Sequence, residues 1–575
     1  MQFLLLSQRQ IALMLIGSQR AEVGSRKIMP KNTFYITTSI PYMNARVHIG
    51  HALEAAQADA IARFWRLQGE KVFFLTGTDE YGKKIQEAAQ KAGKGTAEFV
   101  DEMAEYYKKV CDTLGISYDN LIRTSDQEKH WPAVFAVWKK LLENGDIYKG
   151  SYEGYYCTGC EAFLREAEME NGICLIHKKP VQKVSEENYF FRFSKYVKEV
   201  ERLIREDVIK ILPTWRKLEI LNLFSDEGTR DVSFSRPKET VGWGIPVPDD
   251  PGQMIYVWVD ALVNYISGAG FKVPEILRCA QDDNEMAQDD NVRVQDDNKT
   301  AQDDNKKVRD DKTEVRGESK FEERWPADVH LIGKDIARFH LMIWPAMLLS
   351  LGLELPKAVY IHGFISVEGE KISKSLGNVV DPIELVEKYG SAGSPQAGKD
   401  AVRYFLLREI PSGGDGDFSY ARFEERYTAD LQNGLGNLVS RVAAVGEKHQ
   451  DIFQDIKLPA DSEIAQRKIY KDYCAAIDRF ELHEALARVW ELVAESNKLV
   501  EDSALWDAVK NDQEKAVRTM ALLAENLFAI AYMLQPFMPD TAEKIFQSLG
   551  GREAELVQFK KPTEPLFPRG RASAR

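Results

Sequence analysis

Cysteine is scarce in this chain, with six among 575 residues: Cys111, Cys157, Cys160, Cys174, Cys279 and Cys474. That excludes the dense disulfide framework of a small secreted domain and suits a reducing compartment, the cytoplasm. Long apolar runs are missing too. No stretch reaches the ~20 apolar residues of a membrane-spanning helix, so no membrane partner is expected. The first 20 residues are apolar but are broken by Gln8, Arg9 and Gln10, and no basic region precedes them, which makes a poor signal peptide. The shortage of acids before Glu22 would also suit an organelle transit peptide. The reading taken is that Met29 is the natural start and 1–28 a disordered extension. Positive charge is in deficit, 76 Lys and Arg against 89 Asp and Glu, for a net −13. A generally basic nucleic-acid coat is excluded, while a local basic groove is not. The common phosphate loops are absent as well. No G-x-G-x-x-G follows the first strand. The nearest approach to a Walker A loop, Gly393 to Lys399, continues with Asp400 where Ser or Thr must hold magnesium.

The length implies about three or four domains. Residues 33–42 (TFYITTSIPY) are β-branched and aromatic and end at Pro41, as a buried strand does. Residues 51–67 carry Leu53, Ala56, Ala60, Ile61 and Phe64 at helical spacing. KVFFLTGTDE (71–80) is a second strand. Strand, helix and strand at this spacing predict a βαβ unit and a parallel, doubly wound sheet. The sheet is expected to resume at 253–260 (QMIYVWVD), 329–334 and 357–366. Residues 146–240, with paired cysteines and short β-like runs, read as an insertion. From about 426 the pattern is helical throughout, an α-helical bundle.

QDDN recurs at 281, 288, 295 and 302, with RDDK at 309 as a worn copy. A period of seven invites a coiled coil, but these repeats put Asp and Asn where an apolar seam must run. Residues 278–320 hold 13 acids and 9 bases. They read as a disordered, acidic surface insertion, with an acidic docking element as the alternative.

Two motifs carry chemistry. Pro41-Tyr42 followed by His48-Ile49-Gly50-His51 lies where the first strand gives way to a helix. A helix N-terminus offers free N–H groups and a positive dipole end, which suits phosphate. Gly50 admits close approach to the backbone, and His48 and His51, three apart, can face one ligand. Alone, such a pair is more often an ordinary cap. Lys371-Ile372-Ser373-Lys374-Ser375, between Gly369 and Gly377, is a mobile basic loop able to close over a triphosphate. Alone, it would read as a solvated loop. A third pattern, Cys157-x₂-Cys160-x₁₃-Cys174-x₂-His177, has the spacing of a closed, tetrahedral, structural zinc site.

HIGH after the first strand and the KMSKS-like KISKS after the last resemble the paired signatures of class I aminoacyl-tRNA synthetases. TTSIPYMNARVHIGHALEAAQAD, FLTGTDEYG, IYVWVDALVNY, GKDIARFHLMIWPAML and IHGFISVEGEKISKSLGNVVDP resemble the methionyl family specifically, over about Phe34 to Trp506. The resemblance implies a Rossmann-like catalytic domain and an anticodon-binding bundle. It implies a methionine pocket of Ile40, Tyr42, Trp258, Ala261, Leu262, Tyr265, Ile336, Phe339 and His340, whose aromatic wall suits a polarisable thioether. Leu262 stands where the family often has Pro. Asp79 would take the substrate ammonium and Arg236 its carboxylate, with Asp335 beside the pocket. His48, Gly50, His51, Ser373 and Lys374, with Lys371 assisting, would grip ATP and its magnesium. Asn437 and Arg441 would read anticodon base edges, and Trp506 would stack on a base. Leu505 replaces the family's Pro before that Trp. One zinc is implied, since the region holds no further cysteines.

The function expected is therefore ATP-dependent activation of L-methionine and its transfer to the 3′ end of tRNA(Met), initiator and elongator, by a monomer. The expected division is an extension (1–28), the catalytic domain in two halves (29–145 and 241–375), the zinc-knuckle insertion (146–240), a linking stem-contact region (376–425) and the helical bundle (426–575). A leucyl or valyl enzyme would need a large editing domain, for which about 95 inserted residues leave no room. A non-enzymatic tRNA-binding paralogue is opposed by the intact HIGH and KISKS motifs.

Overall fold

The computed structural model describes residues 33–157, 162–164, 169–176, 178–224, 230–272, 320–372, 377–390 and 395–568. The expected extension 1–28 and nearly all of the acidic insertion 278–320 lie outside the described residues.

A six-stranded sheet organises the catalytic part. Its strands are β1 (Thr33–Thr38), β2 (Lys71–Thr78), β3 (Asn120–Arg123), β4 (Lys210–Leu212), β5 (Val329–Gly333) and β6 (Ala358–His362), in the order β3-β2-β1-β5-β6-β4. Every pairing is parallel. β5 and β6 are buried at every position, as strands covered on both faces must be. From β1 the chain winds one way to β2 and β3, then returns on the other side with β5 and β6. A crevice therefore opens between the C-terminal ends of β1 and β5, where doubly wound sheets bind ligands.

Helix α1 (Ile49–Leu67) crosses from β1 to β2. The predicted face is buried, and so are Glu54, Gln57 and Asp59 on other sides. Small side chains (Ala52, Ala55, Ala56, Ala58, Ala60 and Ala62) let it lie close to its neighbours, while Leu53, Ile61 and Phe64 each contribute about 1.5–3 kcal/mol of burial.

Two sequence expectations need correction. Residues 253–260 are not a strand of the main sheet. Asp250–Ile255 is the middle of a three-stranded antiparallel sheet, and Val257–Ser267 is helix α2. A short apolar run does not distinguish a strand from a buried helix, and this one contains both. The insertion is also narrower than 146–240. Its core is an antiparallel pair, Ile147–Cys157 with Gln182–Phe191, but β4, inside 146–240, is the edge strand of the main sheet.

A smaller three-stranded sheet follows β6. Ile365–Val367 pairs with Glu370–Lys371 on one side and with Gly416–Phe418 on the other. Helix α3 (Pro395–Arg408) packs on α1. The C-terminal bundle includes α4 (Asn437–Lys448), α5 (Leu482–Asp502) and α6 (Gln513–Leu534). By length and composition α6 could cross a membrane, a candidate missed in the sequence, but 72% of its apolar window is buried in the bundle.

One buried side chain joins the parts. Arg403 of α3 is fully buried, with Nη2 2.7 Å from Asp59 Oδ2 of α1. The same guanidinium donates to the carbonyls of Phe537 (2.7 Å), Pro536 (3.0 Å) and Leu114 (3.2 Å). Burial works against ionising Asp59, but Arg403 and Arg63 outweigh it and hold the carboxyl below its usual range.

Candidate active site

A cavity of about 720 Å³ occupies the crevice. Its wall includes His48, Gly50 and His51 from the start of α1, Asp79 after β2, Asp335 after β5, His362 at the end of β6, and Lys371. The two sequence motifs, more than 300 residues apart, thus border one space.

The histidines cap α1 reciprocally. His48 Nδ1 accepts from the Gly50 N–H at 3.1 Å, and His51 Nδ1 accepts from the His48 N–H at 3.2 Å. With both Nδ1 atoms acting as acceptors, the hydrogen of each neutral ring resides on Nε2, which makes that atom a donor. Burial, with His48 and His362 nearby, lowers the pKa of His51 to about 3, so the ring is neutral at physiological pH. A Cβ on Gly50 would lie 3.0 Å from His48 Cε1 and 3.3 Å from Ile365 Cγ2. The glycine thus leaves room for the capping ring as well as for a ligand.

Lys371 reaches the cavity from a two-residue hairpin. Val367 pairs with Glu370, and the turn residues Glu368 and Gly369 have φ of 52° and 79°. Positive φ at both positions is the type I′ turn that matches strand twist. Lys371 is exposed at the rim. Ser373 and Lys374 lie outside the described residues.

The cavity is lined on one side by Ile40, Tyr42, Trp258, Ala261, Leu262, Tyr265, Ile336 and His340. Tyr265 Oη and His340 Nε2 are 2.7 Å apart, and His340 Nδ1 is 3.0 Å from the Ile336 carbonyl. Burial lowers His340 to about 4. The neutral ring donates from Nδ1 to that carbonyl and accepts the tyrosine hydroxyl. On its far face α2 is pinned by His130, whose Nε2 is 2.6 Å from Asp260 Oδ1 and Nδ1 2.8 Å from Ser267 Oγ.

Two predicted pocket residues stand elsewhere. Phe339 is not among the described lining residues. It stacks flat behind Trp258, with centroids 3.9 Å apart and planes 3° apart, and so supports the wall rather than forming it. Arg236 does not line the cavity either. It is buried beneath Tyr256 (4.3 Å to the ring) and donates to the Ser233 hydroxyl at 2.8 Å and the Ser235 carbonyl at 2.7 Å. A motif match gives the residue type; the antiparallel sheet sets where the side chain goes.

Sequence reasoning missed Ser39, Glu54, Lys84, His362, Phe364 and Asp415, all on the cavity wall. His362 could have been found as a polar residue ending a buried strand just before a glycine. Glu54 could have been found as an acid one turn beyond His51 on a helix otherwise apolar on that side. Asp335, placed beside the pocket from its motif, lines it, and burial raises its carboxyl above the usual range.

In the bundle, Asn437 and Arg441 lie one turn apart on α4, and the Arg441 guanidinium sits 4.9 Å from the centroid of the Trp506 ring, which is 44% exposed. Of the zinc set, Cys157 and Cys174 are buried in one small cluster with Leu164. Cys160 and His177 lie outside the described residues. Among the described residues no group of three or more potential ligands is gathered for a metal.

Comparison with known proteins agrees with this arrangement. A family profile described as class I tRNA synthetases (M) matches residues 34–174, 164–284 and 306–443. The match breaks between 284 and 306, within the QDDN repeats. A second profile, the anticodon binding domain of methionyl tRNA ligase, matches 454–572. The methionine–tRNA ligase of Caldanaerobacter subterraneus is 42% identical over 564 residues, spanning 94% of this chain and 79% of that protein. The Thermotoga maritima enzyme of the same name is 41% identical, spanning 90% and 76%. A solved structure of Mycobacterium tuberculosis methionyl-tRNA synthetase in complex with methionyl-adenylate superposes with a TM-score of 0.78 at 34% identity, covering 94% of this chain and all of that one. Two motifs bordering one crevice, an aromatic wall beside them and near full-length similarity converge: this chain belongs to the methionyl-tRNA ligase family of class I tRNA synthetases.

Proposed function

We propose that this protein activates L-methionine with ATP and transfers it to tRNA(Met), and that its cavity is where both steps occur. The observation that carries the reading is the meeting of His48, His51 and Lys371 around one volume walled by Trp258, Tyr265 and His340. The methionine side chain packs on that wall, and Asp79 faces its ammonium. The methionine carboxylate attacks the α-phosphorus of ATP, that new P–O bond forms, and the bond to pyrophosphate breaks. No protein nucleophile is needed, so catalysis is positioning and charge stabilisation. The Nε2–H groups of His48 and His51 donate to phosphoryl oxygens at the positive end of α1. Lys371 and Lys374 neutralise charge as pyrophosphate leaves, and the Ser373 hydroxyl of the same loop donates a hydrogen bond to a phosphoryl oxygen. Magnesium, when bound with ATP, supplies further neutralisation of the phosphates. A hydroxyl of the terminal adenosine of tRNA then takes methionine from the adenylate, and AMP departs.

The same reading gives Asn437, Arg441 and Trp506 the anticodon, through base-edge hydrogen bonds and stacking. It gives Cys157, Cys160, Cys174 and His177 one structural zinc; the shared burial of two of those thiols fits the assignment. A monomer working in the cytoplasm completes it. ATP–pyrophosphate exchange with single amino acids tests the activity: methionine alone should support it. Lys374→Ala should slow exchange far more than it raises the methionine requirement. Exchange driven by another amino acid would refute the reading.

A further inference from the structure

Among the described residues two tryptophans are exposed, Trp506 at 44% and Trp215 at 59%. Each has an arginine against its ring, Arg441 at 4.9 Å and Arg216 at 4.4 Å. The first pair sits in the bundle, where the anticodon is placed above. The second follows β4, the edge strand, and so lies at the C-terminal ends of the parallel strands, the end of the sheet on which the cavity opens.

Trp215 is tied to the cavity through its neighbour. Arg216 is buried and donates from Nη2 to the Gly413 carbonyl at 2.7 Å. The loop that begins there supplies Asp415 and Gly416 to the cavity wall, and Gly414 presses so closely on Gly363 that a Cβ on Gly363 would meet the Gly414 carbonyl at 2.1 Å. The same loop holds a second exposed ring. Phe364, 45% exposed and on the cavity rim, donates its N–H to Asp415 Oδ1 at 2.8 Å and accepts from the Gly416 N–H at 2.9 Å. Its ring carries Lys334 Nζ at 4.4 Å. Two exposed aromatic rings, each with a cation against it, are therefore attached to one loop, Phe364 directly and on the cavity rim, Trp215 through Arg216.

We propose that Trp215 and Phe364 form a stacking platform for the unpaired bases at the 3′ end of tRNA, on their way into the cavity. The proposal rests on the tRNA-charging reading. A fixed ring with a cation behind it is the device by which proteins hold single-stranded bases without reading their sequence. A rim position fits an occupant that must enter the cavity by its last nucleotide. Neither cation is spare: Arg216 Nη1 is 2.9 Å from Glu219, and Lys334 Nζ is 2.7 Å from both Asp415 oxygens. The platform therefore grips bases and not phosphates.

Kinetics of the full-length Trp215→Ala protein test this. Methionine-dependent pyrophosphate exchange, which uses no tRNA, should be unchanged. The KM for tRNA(Met) in aminoacylation should rise roughly 5- to 100-fold. Its dependence on salt should keep the wild-type slope, because no phosphate contact is lost. Trp215→Phe should recover most of the affinity. A tRNA(Met) lacking its last three nucleotides should inhibit wild type and Trp215→Ala equally well. An unchanged KM for intact tRNA, an equal loss for intact and shortened tRNA, or loss of exchange in the variant would each overturn the platform. Absence of methionine-dependent exchange in the wild-type protein would instead overturn the reading on which it rests.

Discussion

Glu54 and His362 meet across the floor of the cavity, Oε2 to Nε2 at 2.8 Å. Glu54 Oε1 accepts from both the N–H and the hydroxyl of Ser39, each at 2.6 Å, and His362 Nδ1 is 2.8 Å from the Gly363 carbonyl. Both ring nitrogens of His362 face acceptors, so the site favours imidazolium. Burial opposes that charge, but Glu54, the Gly363 carbonyl and Asp335 outweigh it and raise the pKa above its ordinary value. A raised folded-state pKa stabilises the protein fully below the unfolded value near 6.5, and the effect fades as pH climbs through the folded value. Glu54→Gln should therefore cost about 1.5–3 kcal/mol at pH 5.5 and clearly less at pH 9. Thermal or urea unfolding at the two pH values measures this. An equal loss at both would show that the pair carries no charge.

His51 behaves in the opposite way. With a pKa lowered to about 3, it stays neutral from pH 5 to 9. The pH profile of exchange should then show no inflection from this ring. His51→Ala should slow exchange by about 10²–10³-fold if its Nε2–H stabilises the leaving phosphates. His51→Asn can retain an acceptor for the His48 N–H, and should therefore keep most of the helix-cap stability without restoring the rate. Denaturation and exchange measured on both variants separate the cap from the chemistry.

Arg403 joins α1, which begins with the histidine motif, to the turn after α6 through Asp59, Pro536 and Phe537. Removing one partner of a buried ion pair typically costs about 3–5 kcal/mol, because the other charge is stranded. Arg403→Ala should show a loss of that size. It should also separate the melting of the bundle from that of the catalytic part, which calorimetry would resolve as two transitions. A single transition at the wild-type temperature would contradict the coupling.

The purified protein should carry one zinc per chain, by elemental analysis. Cys157→Ser should lower that content and destabilise the insertion without preventing methionine-dependent exchange. Full retention of zinc in the variant would remove Cys157 from the ligand set.

Much of the catalytic architecture was legible in the sequence because largely buried parallel strands announce themselves as runs rich in β-branched and aromatic residues: β1, β2, β5 and β6 fall where expected. β4 was not. Three residues embedded in a segment rich in antiparallel pairs carry too little pattern, and only pairing with β6 assigns them to the main sheet. The site followed the same rule. His48, His51 and Lys371 were readable as motifs tied to a helix end and a turn. Glu54 and His362 were not, because each makes sense only beside the other, and they are 308 residues apart. Arg236 shows the converse. Its motif was recognisable, but its side chain turns to Ser233 and Ser235, away from the cavity.

Helix α6 bears on how the protein is made. Its 22 residues are apolar enough to resemble a membrane anchor, and only surrounding helices hide them. Two of its partners, α4 and α5, lie earlier in the chain, and a third, Pro539–Ser548, follows it at once. A ribosome therefore releases part of the covering surface before the surface to be covered, and the last of it directly afterwards. A C-terminal fragment starting near residue 513 would be born without that shelter, and would be drawn to lipid, to chaperones or to other copies of itself.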